Sequence, residues 1–108
     1  MKEIIHQGYN LMIGQTVKEN DDLIDAYGHT GYIWLHLKSF PSCHVVILDE
    51  NPPSDVVTFA AVTCRDCTKY RNIRSLKVSY TPYNNVEKTD TPGKVSFKSN
   101  RKVKDIKL

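Results

Sequence analysis

Residues 33–48, IWLHLKSFPSCHVVIL, constrain the fold more than any other stretch of the chain. Ile33, Leu35 and Leu37 alternate with Trp34, His36 and Lys38, the period of two that sends successive side chains to opposite faces of a strand. After Pro41, CHVVIL is apolar on both faces and β-branched, which suits a strand in the middle of a sheet. Two strands therefore flank a Ser-Phe-Pro-Ser-Cys link, and each delivers one histidine, His36 and His44.

The rest of the chain is read around this pair. Residues 3–7 and 9–14 form two short strands about Gly8, the second ending at Gly14. A short helix follows in ENDDLIDAYG: Asn20 caps its free N–H groups, Asp21 and Asp22 complement its dipole, and Gly28 ends it in the left-handed conformation. Pro52 and Pro53 mark a loop, Ser54 caps a second helix, and that helix is predicted from Asp55 to Arg71. Val57, Ala60, Ala61, Cys64 and Cys67 make its apolar stripe, with Arg65 and Lys69 on the other side. Leu76, Val78 and Tyr80 alternate in a further strand, and Pro82 with Asn84-Asn85 turns the chain. TPGKVSF, starting at Pro92-Gly93, and KVKDIKL read as two more strands joined by a Ser99-Asn100 turn, the last an edge strand kept soluble by Lys102, Lys104 and Asp105. The expected fold is a single α+β domain over residues 1–108, a largely antiparallel or mixed sheet with one long and one short helix.

At 108 residues there is room for one core, and no run approaches the roughly 20 apolar residues that span a bilayer. The N-terminus lacks an apolar signal-peptide core, so an intracellular, cytoplasmic protein is expected. Three cysteines, an odd number at irregular spacing, suit reduced thiols. Cys64 and Cys67 in CRDC lie on the helix's apolar stripe, without the further ligands of a zinc site or the helix-start position of a redox pair. Buried packing thiols are the expectation.

Charge is unevenly spread. Residues 1–63 hold three Lys/Arg against eight Asp/Glu, a balance of −5, and residues 64–108 hold twelve against four, a balance of +8. A basic face for a polyanion and a merely solvated Lys-rich surface both fit that asymmetry.

His36 and His44 admit several roles. A metal held across the strand pair needs a third ligand from Asp49, Glu50 or Cys43, and no carboxylate stands at a short regular spacing from either histidine. Acid–base catalysis needs a nucleophile such as Ser39, Ser42 or Cys43, none of which sits in a glycine-rich elbow. Neither catalytic nor metal-binding residues are assigned, and no cofactor is expected. Nucleic-acid contact asks for fewer missing parts: Trp34 offers a stacking face, although its first reading is as a core residue, and His36 and Lys38 share its side of the strand. Arg65, Lys69, Arg71, Arg74 and Lys77 are candidates for phosphate contact. With Ser42 and His44 these complete the candidate nucleic-acid-binding set.

The stretch that opens this reading resembles the signature of the NFACT-R domain, written loosely D-I-W-F-H-x-K-x-x-P-(G/S)-x-H-V-(I/V)-(I/L). The likeness runs from about Tyr9 to Leu108. NLMIGQTVKENDDLI is similar to the family's opening at Gly14, Asn20, Asp21 and Leu23. Pro52, Pro53, Ala60, Ala61, Lys69, Arg71, Lys77, Val78, Tyr80 and Thr81 match its middle, and Pro92, Gly93, Val95 and Phe97 its close. Gln15, Tyr32 and Cys43 depart from the pattern, Gln15 removing a basic residue that usually follows the glycine. The resemblance implies an α+β domain that binds RNA, tRNA or rRNA before DNA, in ribosome-associated quality control. It implies a non-enzymatic module, monomeric or weakly dimeric, without a membrane and with the ribosome as a further partner. Trp34, His36, Lys38 and His44 are then expected to line a pocket, with Lys69, Arg71 and Lys77 on phosphate. A coiled-coil tail beyond Leu108 is not expected to supply a partner. A module that docks on the ribosome or a translation factor without RNA is the alternative, and a His-dependent hydrolase or metal site a more distant one.

Overall fold

The computed structural model describes residues 1–92 and 94–108. Lys2–His6 (β1) and Tyr9–Gly14 (β2) form a hairpin closed by Gln7 and Gly8, both at positive φ, 51° and 82°. That backbone matches the twist of the flanking strands, and glycine adopts it without strain. Val17–Tyr27 forms α1, Ile33–Leu37 β3, His44–Ile47 β4, Ser54–Asp66 α2, Lys77–Pro82 β5, Val86–Lys88 β6, Val95–Phe97 β7 and Lys104–Lys107 β8. Six strands make one antiparallel sheet in the order β1-β2-β4-β3-β5-β8, while β6 and β7 pair separately as a hairpin.

The α+β architecture agrees with the sequence expectation, and β4 is the interior strand anticipated, buried along its whole length. The edge strand near the C-terminus is β8, carrying Lys104, Asp105 and Lys107. The short strand β6 was not anticipated, because VEK offers too few residues for an alternation to show. Of the predicted Pro92-Gly93 strand start, Gly93 lies outside the described residues.

The sheet separates two clusters. On one face Leu11, Ile13, Leu35, Leu37, Val45, Ile47 and Val78 meet α2 through Val56, Val57, Ala60, Ala61 and Cys64. The two alanines let the helix axis approach the strands. On the other face Trp34 and Val46 meet Leu23 of α1, with Tyr83, Val86 and Phe97 from the chain that follows β5.

Several helix-end expectations are corrected. The N-cap of α1 is Thr16, whose hydroxyl accepts from the Glu19 N–H at 3.1 Å, which leaves Asn20 inside the helix. Asn20, Leu23, Ile24 and Tyr27 recur at helical spacing, so the asparagine lies on the buried face. Gly28 does end α1, but with φ −63° it is right-handed; a Cβ there would meet the Ile24 carbonyl oxygen. Ser54 is the first residue of α2 rather than its cap, Pro53 holding that position without a side-chain bond. Finally, α2 stops at Asp66 instead of Arg71, and the chain continues in turns.

That early stop changes the cysteines. Cys64 is fully buried as a packing thiol, and burial pushes its thiol far above the usual range. Cys67 falls beyond the apolar stripe, is exposed, and is joined to Cys43 in a disulfide, their Cα atoms 5.9 Å apart. The expectation of three reduced thiols is therefore overturned for two of them, because the end of α2 lies over the entry to β4 at a separation a disulfide spans.

Candidate nucleic-acid interface

The register of the sheet assembles the site. On the face away from α2, Gly14 stands opposite His44, His36 opposite Ser79, and Ser79 opposite Asp105. The rings of His36 and His44 approach to 5.0 Å between centroids, edge to face, and join these pairs into one row across five strands. Above the row opens a cleft of about 940 Å³, walled by the residue 38–42 loop on one side and by Phe97 and Asn100 on another. Ser39 in that loop has φ 68°, a left-handed conformation uncommon for serine, of the kind that clusters at functional sites.

Trp34 lies under the cleft, not in it. It is 1% exposed, so no face remains on which a base can stack, and the core role is its role here. Its indole Nε1–H donates to His44 Nδ1 at 3.2 Å, buried, and its ring lies parallel to that of His36 at 5.8 Å. Trp34 thus fixes the orientation of one histidine and backs the other. With Nδ1 accepting, a neutral His44 carries its proton on Nε2.

Both imidazoles are held neutral. Burial pushes His44 down to about 3, with the neighbouring His36 adding to the shift, and burial lowers His36 as well. A charged imidazolium here would lose its hydration without a carboxylate to replace it. Lys38 is neutralised by other means: its Nζ donates to Asp105 Oδ2 at 2.7 Å, while Ser79 Oγ donates to Oδ1 at 2.9 Å. The lysine bond first, then the serine, holds the Asp105 carboxyl below the usual carboxylate range. The floor of the cleft is therefore aromatic and close to electrically neutral, and Lys94 is a further cation in its lining.

Trp34, His36, Lys38, Ser42 and His44, five of the sequence-predicted residues, all border this cleft. Ser42 is occupied by the backbone, accepting from the Leu37 N–H at 3.1 Å and donating to the Cys43 carbonyl at 3.0 Å, and so holds the loop in shape. Lys77 lies next to Lys38 at the start of β5, its carbonyl accepting from the Lys38 N–H at 2.9 Å. Arg65, Lys69, Arg71 and Arg74 do not join: they belong to the end of α2 and the turns after it. Arg65 pairs with Asp66 at 3.5 Å, and Arg71 reaches the Thr68 carbonyl at 3.4 Å. Lys69 sits in a smaller depression with Tyr70 on the other side of the 38–42 loop, and Pro41 and Ser42 border both hollows. Disulfide Cys43–Cys67 and the Phe40–Tyr70 ring contact at 4.8 Å pin the loop between them.

Sequence reasoning missed Asn20, Ser79, Lys94 and Asp105 as cleft residues. Ser79 was legible as the polar alternate of Val78 and Tyr80, and Asn20 from its helical spacing to Leu23; Lys94 and Asp105 carry no local signal. Of the metal ligands considered, Asp49 and Glu50 lie at the far end of β4 from His44, and Cys43 is in the disulfide. Among the described residues no group of three or more His, Cys, Asp or Glu is placed to hold a metal ion. Nor is any helix among them long and apolar enough to cross a membrane.

Comparison with known proteins finds that residues 4–99 match the family model described as the NFACT protein RNA binding domain. The protein named Rqc2 homolog RqcH from Bacillus subtilis is 30% identical over 98 residues, covering 89% of this chain and 17% of the relative. Its namesake from Streptococcus suis is 31% identical over 99 residues, covering 91% and 18%. Coiled-coil domain-containing protein 25 of Mus musculus is 29% identical over 109 residues, covering 93% and 50%. The chain thus spans half or less of the length of these relatives. Among solved structures, the C-terminal part of the fibronectin/fibrinogen-binding protein from Streptococcus suis superposes with a TM-score of 0.88 at 23% identity, covering 99% of this chain and 44% of that one, a likeness of fold.

Proposed function

Because the chain belongs to the family of NFACT protein RNA-binding domains, we propose that it acts as a non-enzymatic module that takes an unpaired RNA nucleotide into the cleft over His36 and His44. The observation that carries this reading is the neutral, aromatic floor with Lys94 in the cleft lining. A neutral floor suits a base, whose π-face and polar edge ask for flat surfaces and uncharged hydrogen-bonding groups. Lys94 in the cleft lining and Lys77, next to Lys38 at the start of β5, suit the backbone phosphates, which supply most of the affinity. The RNA is tRNA or rRNA, the setting ribosome-associated quality control in the cytoplasm, and the domain acts as a monomer or weak homodimer.

Fluorescence anisotropy with an unstructured RNA tests the proposal. With about three phosphates contacted, affinity falls roughly 20-fold between 50 and 200 mM salt. Lys77→Ala lowers affinity and flattens that slope by about one contact. Affinity stays level between pH 7 and 8, because burial holds both cleft histidines below their ordinary range. Absence of binding at low salt, or binding indifferent to salt, sinks the RNA reading.

A further inference from the structure

One amide in the wall of the cleft takes no part in holding the fold together. Asn20 is 8% exposed and borders the cleft, and its Oδ1 lies over Gly14, where a Cβ would collide with it. That oxygen has no hydrogen-bond partner. Among the described residues the other buried side-chain polar atom without a partner is Tyr83 Oη. A buried amide oxygen without a partner is a cost that the fold itself does not offset.

Its neighbour across the row is in a similar condition. His44 Nδ1 is engaged by Trp34, which leaves a neutral Nε2–H donor without a partner among the described residues. His36, parallel to Trp34 and only partly covered, supplies a flat surface beside them. Together they present an amide with one donor and one acceptor, a second neutral donor, and an aromatic floor. A base edge that answers them carries a donor flanked by two acceptors. Adenine has this pattern at N7, N6 and N1; uracil shares it on a smaller ring; guanine and cytosine do not. A carboxamide pairs with adenine in two-point fashion, and the purine gains more from stacking than uracil does.

We infer that Asn20 and His44 read the edge of an unpaired adenine seated on His36, a conclusion that rests on the RNA-binding reading and adds base identity to it. The adenine is carried by a strand, since Lys94 in the cleft lining is placed for a neighbouring phosphate.

The test compares labelled oligo-rA, oligo-rC and oligo-rU octamers on the full chain at 50 mM salt. Wild type binds oligo-rA about tenfold tighter than oligo-rC and a few-fold tighter than oligo-rU. Asn20→Ala brings oligo-rA to within about twofold of oligo-rC while oligo-rC binding holds. If no octamer binds, the RNA reading itself fails. If the octamers bind alike, or Asn20→Ala keeps the adenine preference, the inference is overturned and the RNA reading stands. Should Asn20→Ala not fold, amide NMR of wild type decides: the Asn20 side-chain NH2 signals move on saturation with oligo-rA but not with oligo-rC, and signals that stay still refute the assignment. AMP at matched base concentration competes at least tenfold more weakly than oligo-rA; equal competition by AMP assigns the cleft to a free nucleotide and overturns the strand-borne adenine.

Discussion

The two faces of the six-stranded sheet are built from the same strands and finished in opposite ways. Toward α2, Leu35, Leu37, Val45 and Val78 close against Ala60, Ala61 and Cys64 with no polar atom in the cluster. Toward α1, the alternate residues of those strands are Trp34, His36, His44 and Ser79, and beyond Trp34 the cover stops short and leaves the cleft. A chain this small needs one dry face to fold on, and that frees the other to carry groups that a core excludes. The larger dry core lies on the α2 side and the proposed binding chemistry on the other, with Trp34 belonging to both.

The largest expected effect attacks that division directly. Leu35→Ala, on the α2 face, costs about 2–5 kcal/mol in urea unfolding and leaves the RNA affinity of the folded fraction unchanged. Trp34→Phe, one residue away on the opposite face, removes the donor to His44 Nδ1 and costs about 1–3 kcal/mol, with RNA affinity falling as well. Equal effects of the two on binding erase the distinction between the faces.

Acid sharpens the comparison next. The folded pKa values of His36 and His44 lie below the unfolded value of 6.5, so the unfolded chain takes up protons first. Their stabilising contribution is complete above about pH 7 and is lost as pH falls from 6.5 toward about 3 for His44, by at most about 1.4 kcal/mol per pH unit for each ring. Urea melts at pH 7.5 and 5.0 measure it, and His36→Gln shrinks the difference. A stability that stays level over this range means the rings are not buried as neutral groups.

Asp105→Asn carries the smallest effect. The ion pair with Lys38 is half-exposed, so stability changes by less than about 1 kcal/mol. Freed, Lys38 adds a cation at the cleft, and RNA affinity at low salt rises about two- to threefold with a steeper salt slope. An unchanged slope places Lys38 away from the RNA.

Much of this was legible in local pattern. Alternation in IWLHL and in LKVSY set which residues face each side, and the doubly apolar HVVI marked the interior strand. The features that the sequence concealed are those in which distant segments meet. Thr16, rather than Asn20, caps α1, since Thr16, Asn20, Asp21 and Asp22 all have capping side chains and only the packed position of Leu23 selects among them. The disulfide depended on where α2 ends relative to β4, 24 residues earlier. Arg65, Lys69, Arg71 and Arg74 share the sign of charge that Lys77 and Lys94 carry, yet only the fold separates those beside the cleft from those across the loop.

By itself, then, the sequence determined the strands, the apolar stripe of α2, the histidine pair and the family, because these are written in residue periods and short motifs. Tertiary structure decided that Trp34 is the hidden support of the cleft, that its histidines are neutral, and that Asn20 faces it without a partner. Burial, hydrogen-bond partnership and pKa are properties of what surrounds a side chain, and in this domain the surroundings of each cleft residue come from elsewhere in the chain.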